Sequence, residues 1–256
     1  DRVITITQFI KKRLGKRVAL LYSLANISLF STITIGAALF WGAYAADVVF
    51  GEYLSAFHQD RLTRITLLIV ILGLFSATYT YYGGLGAVVR TDIIQFVVLI
   101  SGGLVIMFIA IHHLGGWSEL YNKTPHLMHL HLPLDHEKLP WIHIFGLFLL
   151  NINYWCANQS IVQRSLAAKS IRHAQIGLMV GGLMKYLMAV IIVIPGIALV
   201  GILGDNGLSD PDMSFPYLVN TYLPLGAKGL VLCALFASLM STVDSTFNSL
   251  ATLWSI

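Results

Sequence analysis

The chain has 256 residues, 57% of them hydrophobic and only 11% charged, less than half the roughly 25% charge of an ordinary soluble domain. With a mean hydropathy of +0.77, this composition excludes one soluble core and points to bilayer crossings of about 20 residues each. The net charge of +4 does not signal nucleic acid, because the basic residues lie between apolar runs rather than along one solvated face.

The chain begins at Asp1 without an initiating methionine and stops inside the apolar run 251–256, so it reads as an internal segment of a longer protein, one transmembrane domain over 1–256. Six crossings are predicted, at about 18–46, 65–85, 87–111, 139–163, 176–203 and 229–256. The second and third form one apolar stretch, interrupted at Tyr82-Gly83-Gly84-Leu85-Gly86. Glycine clusters break helices, so a tight turn is placed there. Pro195-Gly196 predicts a kink in the fifth span. External loops are expected at 47–64, 112–138 and 204–228. Cys156 and Cys233, both in apolar stretches, are expected to be small buried hydrophobes with no disulfide or metal role.

Lys and Arg set the orientation. Arg2, Lys11, Lys12, Arg13, Lys16 and Arg17 precede the first span, Arg90 sits in the glycine turn, and Arg164, Lys169 and Arg172 link spans four and five. Asp47, Glu52, Asp60, Glu119, Asp135, Glu137, Asp205, Asp210 and Asp212 fall on the opposite side. Basic loops are therefore placed in the cytoplasm, and the protein in a plasma membrane such as a bacterial inner membrane. The histidines of the second external loop, His112, His113, His126, His129, His131 and His136, read as part of a solvated loop rather than a metal site, since no cysteine joins them. Asn122-Lys123-Thr124 is a glycosylation sequon on that outer side.

Polar groups inside a membrane are costly, so each needs a partner or a cavity. On the sixth span Ser238, Ser241, Thr242, Ser245, Asn248, Ser249 and Thr252 share one helical stripe, with Asp244 at its edge. Oxygen-only ligands suit a hard cation such as sodium; close helix packing is the competing explanation, and Asp244 favours the cation, because packing requires no carboxylate. On the fourth span Asn151, Tyr154, Trp155, Asn158 and Gln159 follow helical spacing. Rings bordered by amides suit a hydroxyl-rich ligand, with interfacial anchoring of the aromatics as the competing explanation. Lys185 lies about 13 Å inside the fifth span, too deep to snorkel comfortably. Its expected partner is a substrate hydroxyl, an amide of span four or a carboxylate, with a structural ion pair as the alternative. Asp92 opens the third span, where a carboxylate is favourable in itself, and lies near the cytoplasmic exit of any pathway.

These residues fall within stretches that resemble the solute:sodium symporter family, most closely its sodium/glucose cotransporter branch. The stretches are YTYYGGLGAVVRTDIIQ (79–95), NYWCANQSIVQRSLAAK (153–169), STVDSTFNS (241–249) and TQFIKKRLG (7–15). The resemblance implies an all-α transmembrane fold of the leucine-transporter type, with inverted repeats. This chain would hold the last three helices of repeat one and the first three of repeat two. It further implies a sodium-coupled sugar symporter, not an enzyme, with Na+ as coupling ion. Ser241 and Thr242, with the carbonyl of Ser238, match sodium ligands. Asn151, Tyr154, Trp155 and Lys185 match sugar-site positions, and Asp92 matches a carboxylate near the sodium exit. Asp244 departs from the neutral residue usual in sugar transporters. It suggests a second sodium site formed with Asp92, Ser241 and Ser245. An inositol or polyol transporter, a non-transporting sugar sensor and, for want of a nucleophile–base pair, more remotely an intramembrane enzyme are the rival readings. The solute, the stoichiometry and the oligomeric state are left open by the sequence.

Overall fold

A computed structural model describes residues 3, 5–128, 140–204 and 207–255. His129, His131, Asp135, His136, Glu137, Asp205 and Arg2 lie outside the described residues, and with them most of the histidine loop. Among the described residues every regular element is a helix: α1 (Ile6–Leu14), α2 (Lys16–Ser28), α3 (Ile35–Ser55), α4 (Arg61–Leu114), α5 (Trp117–Lys123), α6 (Trp141–Ala157), α7 (Gln159–Leu166), α8 (Ile171–Leu203), α9 (Ser214–Tyr222) and α10 (Leu225–Trp254).

The first crossing is continuous from α2 into α3 through a π-helical segment, Leu29–Thr34. It runs to Ser55, so the first external loop shrinks to 56–60. Asp47 is consequently not a loop residue. It is 3% exposed and accepts from Arg61 Nε at 3.1 Å and Arg64 Nε at 2.7 Å, which ties α3 to the start of α4. Asp60 caps α4 by accepting from the amide and hydroxyl of Thr63, and these bonds hold its carboxyl below the ordinary carboxylate value.

α4 contains 54 residues, about 80 Å if straight, far more than one crossing of about 30 Å needs. It is two antiparallel arms, 61–83 and 85–114, joined at Gly84, whose φ of 55° and ψ of −159° are not helical. The contacts establish the reversal. Ser76 reaches Asp244, Gly84 and Ala251 line a common pocket, and then Asp92 meets Ser241 and Gly102 lies against Ala234. The partner position on α10 rises and then falls. The predicted glycine turn is therefore present, in a backbone region open essentially to glycine alone.

The second arm packs closest on α10. A Cβ added to Gly102 would sit 2.4 Å from Ala234 Cβ and 3.2 Å from the Leu230 carbonyl oxygen, the intimate approach that small residues permit between helices. At that end Ile106, Ala110 and Leu114 join Leu199, Leu218 and Val231 in one buried cluster that seats α9. The third external segment is thus largely helical. α8 runs unbroken through Pro195, without a non-helical residue.

The fourth crossing departs most from expectation. α6 stops at Ala157; Asn158 is extended (φ −70°, ψ 120°), and its side chain accepts from Ser160 N to start α7. The remaining 17 residues reach about 26 Å. Cys156 and Cys233 are exposed rather than buried, on helix faces that none of the described residues covers.

The ends segregate as the charges predicted. Tyr22 donates to the Ala157 carbonyl and Ile6 N to Gln159, while Arg164 pairs with Asp92, so the basic segments gather at one end. At the other, Tyr44 meets Met213 and His113 stacks near Tyr222.

Candidate functional site

Between the second arm of α4, α6–α7, α8 and α10 lies a cavity of about 660 Å³, within the usual range of small-molecule sites. Ser238, Ser241, Thr242 and Ser245 face it from α10, Asp92 from α4, Tyr154 from α6 and Lys185 from α8. Thr34, the last residue of the π-helical segment, lines it too, and such insertions frequently mark functional positions. Residues expected for a cation and residues expected for a hydroxyl-rich solute thus share one chamber.

Lys185 forms no ion pair with any described residue. Its Nζ stands 4.6 Å from the Tyr154 ring centre and 5.4 Å from that of Trp155, and the two rings meet edge to face. A cation over aromatic faces is stabilised by the ring quadrupoles, which leaves the three ammonium hydrogens free to donate to a ligand. Among the described residues, then, neither a carboxylate nor an amide meets this ammonium.

Asn151 does not join this group. Its Nδ2 donates to the Leu147 carbonyl at 2.9 Å on an exposed face of α6, and it is not among the cavity's lining residues. Asn158 lines the cavity beside Tyr154, but the helix breaks there, and Gln159 leaves the predicted stripe. Asn158 caps α7 and Gln159 accepts from Ile6 N at 3.2 Å.

The α10 stripe also divides. Toward the cavity, Ser241 donates to Asp92 Oδ1 at 2.5 Å, and Thr242 Oγ1 lies 3.1 Å from the Ser238 carbonyl oxygen. Farther on, Ser249 bonds Ser160 at 2.9 Å and accepts from Gln163 at 3.1 Å, while Asn248 donates to Gln163 Oε1 at 3.2 Å. That half glues α7 to α10, as the packing alternative requires.

Sequence reasoning missed Arg164, which it counted only as a cytoplasmic charge. The Arg164 Nη2 group donates to Asp92 Oδ2 at 2.6 Å and to Ser245 Oγ at 2.5 Å, and Nη1 donates to the Ser160 carbonyl at 3.0 Å. The available signal was its place four residues after Ser160, on the first turns of a helix capped by Asn158. Its guanidinium puts a positive charge where Asp92, Ser241 and Ser245 were expected to gather around a second cation. Asp244 is absent from that gathering: its carboxylate turns to the first arm of α4, to Ser76, Tyr79 and Thr80.

Comparison with known proteins agrees with this arrangement. The description SSF: Sodium:solute symporter family matches residues 1–255. The chain is 33% identical over 285 aligned positions to the sodium/glucose cotransporter of Vibrio parahaemolyticus, covering 99% of this chain and 50% of that protein. It is 34% identical to sodium/glucose cotransporter 4 of Mus musculus, covering 99% and 41%, and 30% identical to the sodium/mannose cotransporter SLC5A10 of Bos taurus, covering 100% and 47%. The chain spans half or less of the length of these relatives. Four helices among the described residues long and apolar enough to cross a membrane, a match along nearly the whole length of the chain and a polar chamber between the helices identify this chain as a member of the sodium:solute symporter family.

Proposed function

We propose that the protein containing this chain is a sodium-coupled symporter that imports a sugar across the plasma membrane by alternating access. The supporting observation is the single chamber in which Tyr154 and Lys185 stand across from the Ser238–Ser241–Thr242 turn. In this reading the Ser238 carbonyl and the hydroxyls of Ser241 and Thr242 contribute ligands to sodium. Tyr154 and Trp155 cover the C–H face of the sugar, and Lys185 donates to its hydroxyls. Asn151 enters only if its exposed amide turns from the Leu147 carbonyl to the solute. Asp92, held by Arg164, receives the ion on its way to the cytoplasmic side.

Coupling needs only that both cargoes together favour closure. One charge crossing 100 mV supplies about 2.3 kcal/mol, and a tenfold sodium gradient about 1.4 kcal/mol. Together they sustain a solute gradient of roughly 500-fold per sodium. The test is uptake of labelled glucose, galactose, mannose and inositol into proteoliposomes of the full-length protein, with sodium or choline outside. Sodium-stimulated hexose uptake is expected. Stimulation confined to inositol would move the assignment to polyols, and no stimulation for any solute would overturn the reading.

A further inference from the structure

Five of the seven residues 11–17 are basic: Lys11, Lys12, Arg13, Lys16 and Arg17. All five are exposed. None forms an ion pair with a described residue, whereas Arg61 and Arg64 are answered by Asp47 and Arg164 by Asp92. The backbone gathers them. Gly15, at φ 92° and ψ 168° in a region essentially reserved for glycine, turns the chain back between α1 and α2, and Thr7 Oγ1 meets Ser23 Oγ at 2.9 Å. The two helices form a hairpin, and every one of the five cations lies within four residues of its tip.

Away from the tip the outer surface of the hairpin is apolar. Phe9, Leu20, Leu21 and Leu24 are exposed, and α2 continues into the first crossing. Apolar sides with a cationic tip match a bilayer boundary, with acyl chains against the sides and headgroup phosphates at the tip. The far end of the hairpin grips the break in the fourth crossing. Tyr22 donates to the Ala157 carbonyl at 2.6 Å and Ile6 N to Gln159 Oε1 at 3.2 Å, one bond on each side of Asn158. Gln159 is 1% exposed and its Nε2 has no hydrogen-bond partner among the described residues, so the bond from α1 anchors that side chain. Asn158 and Tyr154 line the chamber beside it.

We propose that the hairpin tip binds the phosphates of anionic phospholipids in the adjoining leaflet, and that this binding steadies the α6–α7 break through Gln159. Each cation near an anionic leaflet strengthens the attraction about fivefold. Lys16 and Arg17 belong to α2 and stay in place if α1 lifts away; Lys11, Lys12 and Arg13 leave with it. Lifting α1 therefore breaks the attraction of three cations together with the bond to Gln159. Charge in the leaflet thus reaches the break without any lipid entering the chamber, whatever solute the chamber carries.

The experiment measures amide hydrogen exchange of the full-length protein in nanodiscs of phosphatidylcholine, alone or mixed with phosphatidylglycerol. Phosphatidylglycerol should slow exchange at 6–14 and at 157–163 at least about tenfold, and high salt should abolish the difference. Lys11→Gln, Lys12→Gln and Arg13→Gln together should bring both segments within about twofold in the two lipids. Gln159→Leu should keep the slowing at 6–14 and lose it at 157–163. Equal exchange of wild type in the two lipids, or a slowing that the triple variant keeps, overturns the lipid site. Slowing produced equally by inorganic phosphate in phosphatidylcholine marks a soluble anion and overturns it too. Slowing at 6–14 with none at 157–163 overturns the coupling to the break.

Discussion

Replacing Arg164 by glutamine tests the Asp92 cluster most directly. The substitution removes the 2.6 Å contact to Asp92 and the 2.5 Å contact to Ser245, leaving Asp92 with Ser241 as its remaining side-chain donor. The two partners are 32% and 21% exposed. Breaking a fully buried pair costs about 3–5 kcal/mol and a surface pair is worth about 0–1 kcal/mol, so the intermediate exposure places this one at about 1–3 kcal/mol. The freed carboxylate then attracts sodium instead. Half-saturating sodium for uptake should fall at least about fivefold, and turnover should fall with it because the ion leaves Asp92 more slowly. The assay is sodium-dependent solute uptake by wild type, Arg164→Gln, Asp92→Asn and the double variant, read as a cycle. A coupling of about 1–3 kcal/mol is expected. Equal half-saturating sodium in wild type and Arg164→Gln, or strictly additive effects, would refute the reasoning.

Two further outcomes follow from the geometry. Lys185→Met keeps the stem over the Tyr154 and Trp155 rings but removes the donor, so the solute KM should rise about five- to thirtyfold, the equivalent of about 1–2 kcal/mol, with little change in half-saturating sodium; initial rates over a solute series check it. Gly84→Ala puts a Cβ on a residue at φ 55° and ψ −159°, which should cost about 1–3 kcal/mol and lower the thermal midpoint without altering which solutes compete.

Much of the candidate site was legible one helix at a time. The stripe on α10 and the Tyr154–Trp155 pair follow from helical periodicity, which depends only on spacing along the chain. What spacing cannot register is a helix that ends. Asn158 sits in a favourable i+7 position for the α6 stripe, yet it caps α7, because its side-chain oxygen can satisfy a free amide there as readily as it can face a ligand. The same ambiguity put Asn248 and Ser249 in a cation stripe, when Gln163 and Ser160 hold them.

The sequence by itself determined the membrane class and the glycine reversal, since each rests on local composition or on the conformational freedom of one residue. Only the tertiary structure decided which charge answers which. Asp92 is joined to Arg164 across 72 residues and Asp244 to Ser76 across 168, separations over which no local pattern carries information. Asp92 lies on the second arm of α4 and Asp244 on α10, and the rotation of α10 between the two arms of α4 sends one to a guanidinium and the other to three hydroxyls. The two helices meet closely at Gly102 and Ala234, a contact between surfaces that the sequence does not place side by side.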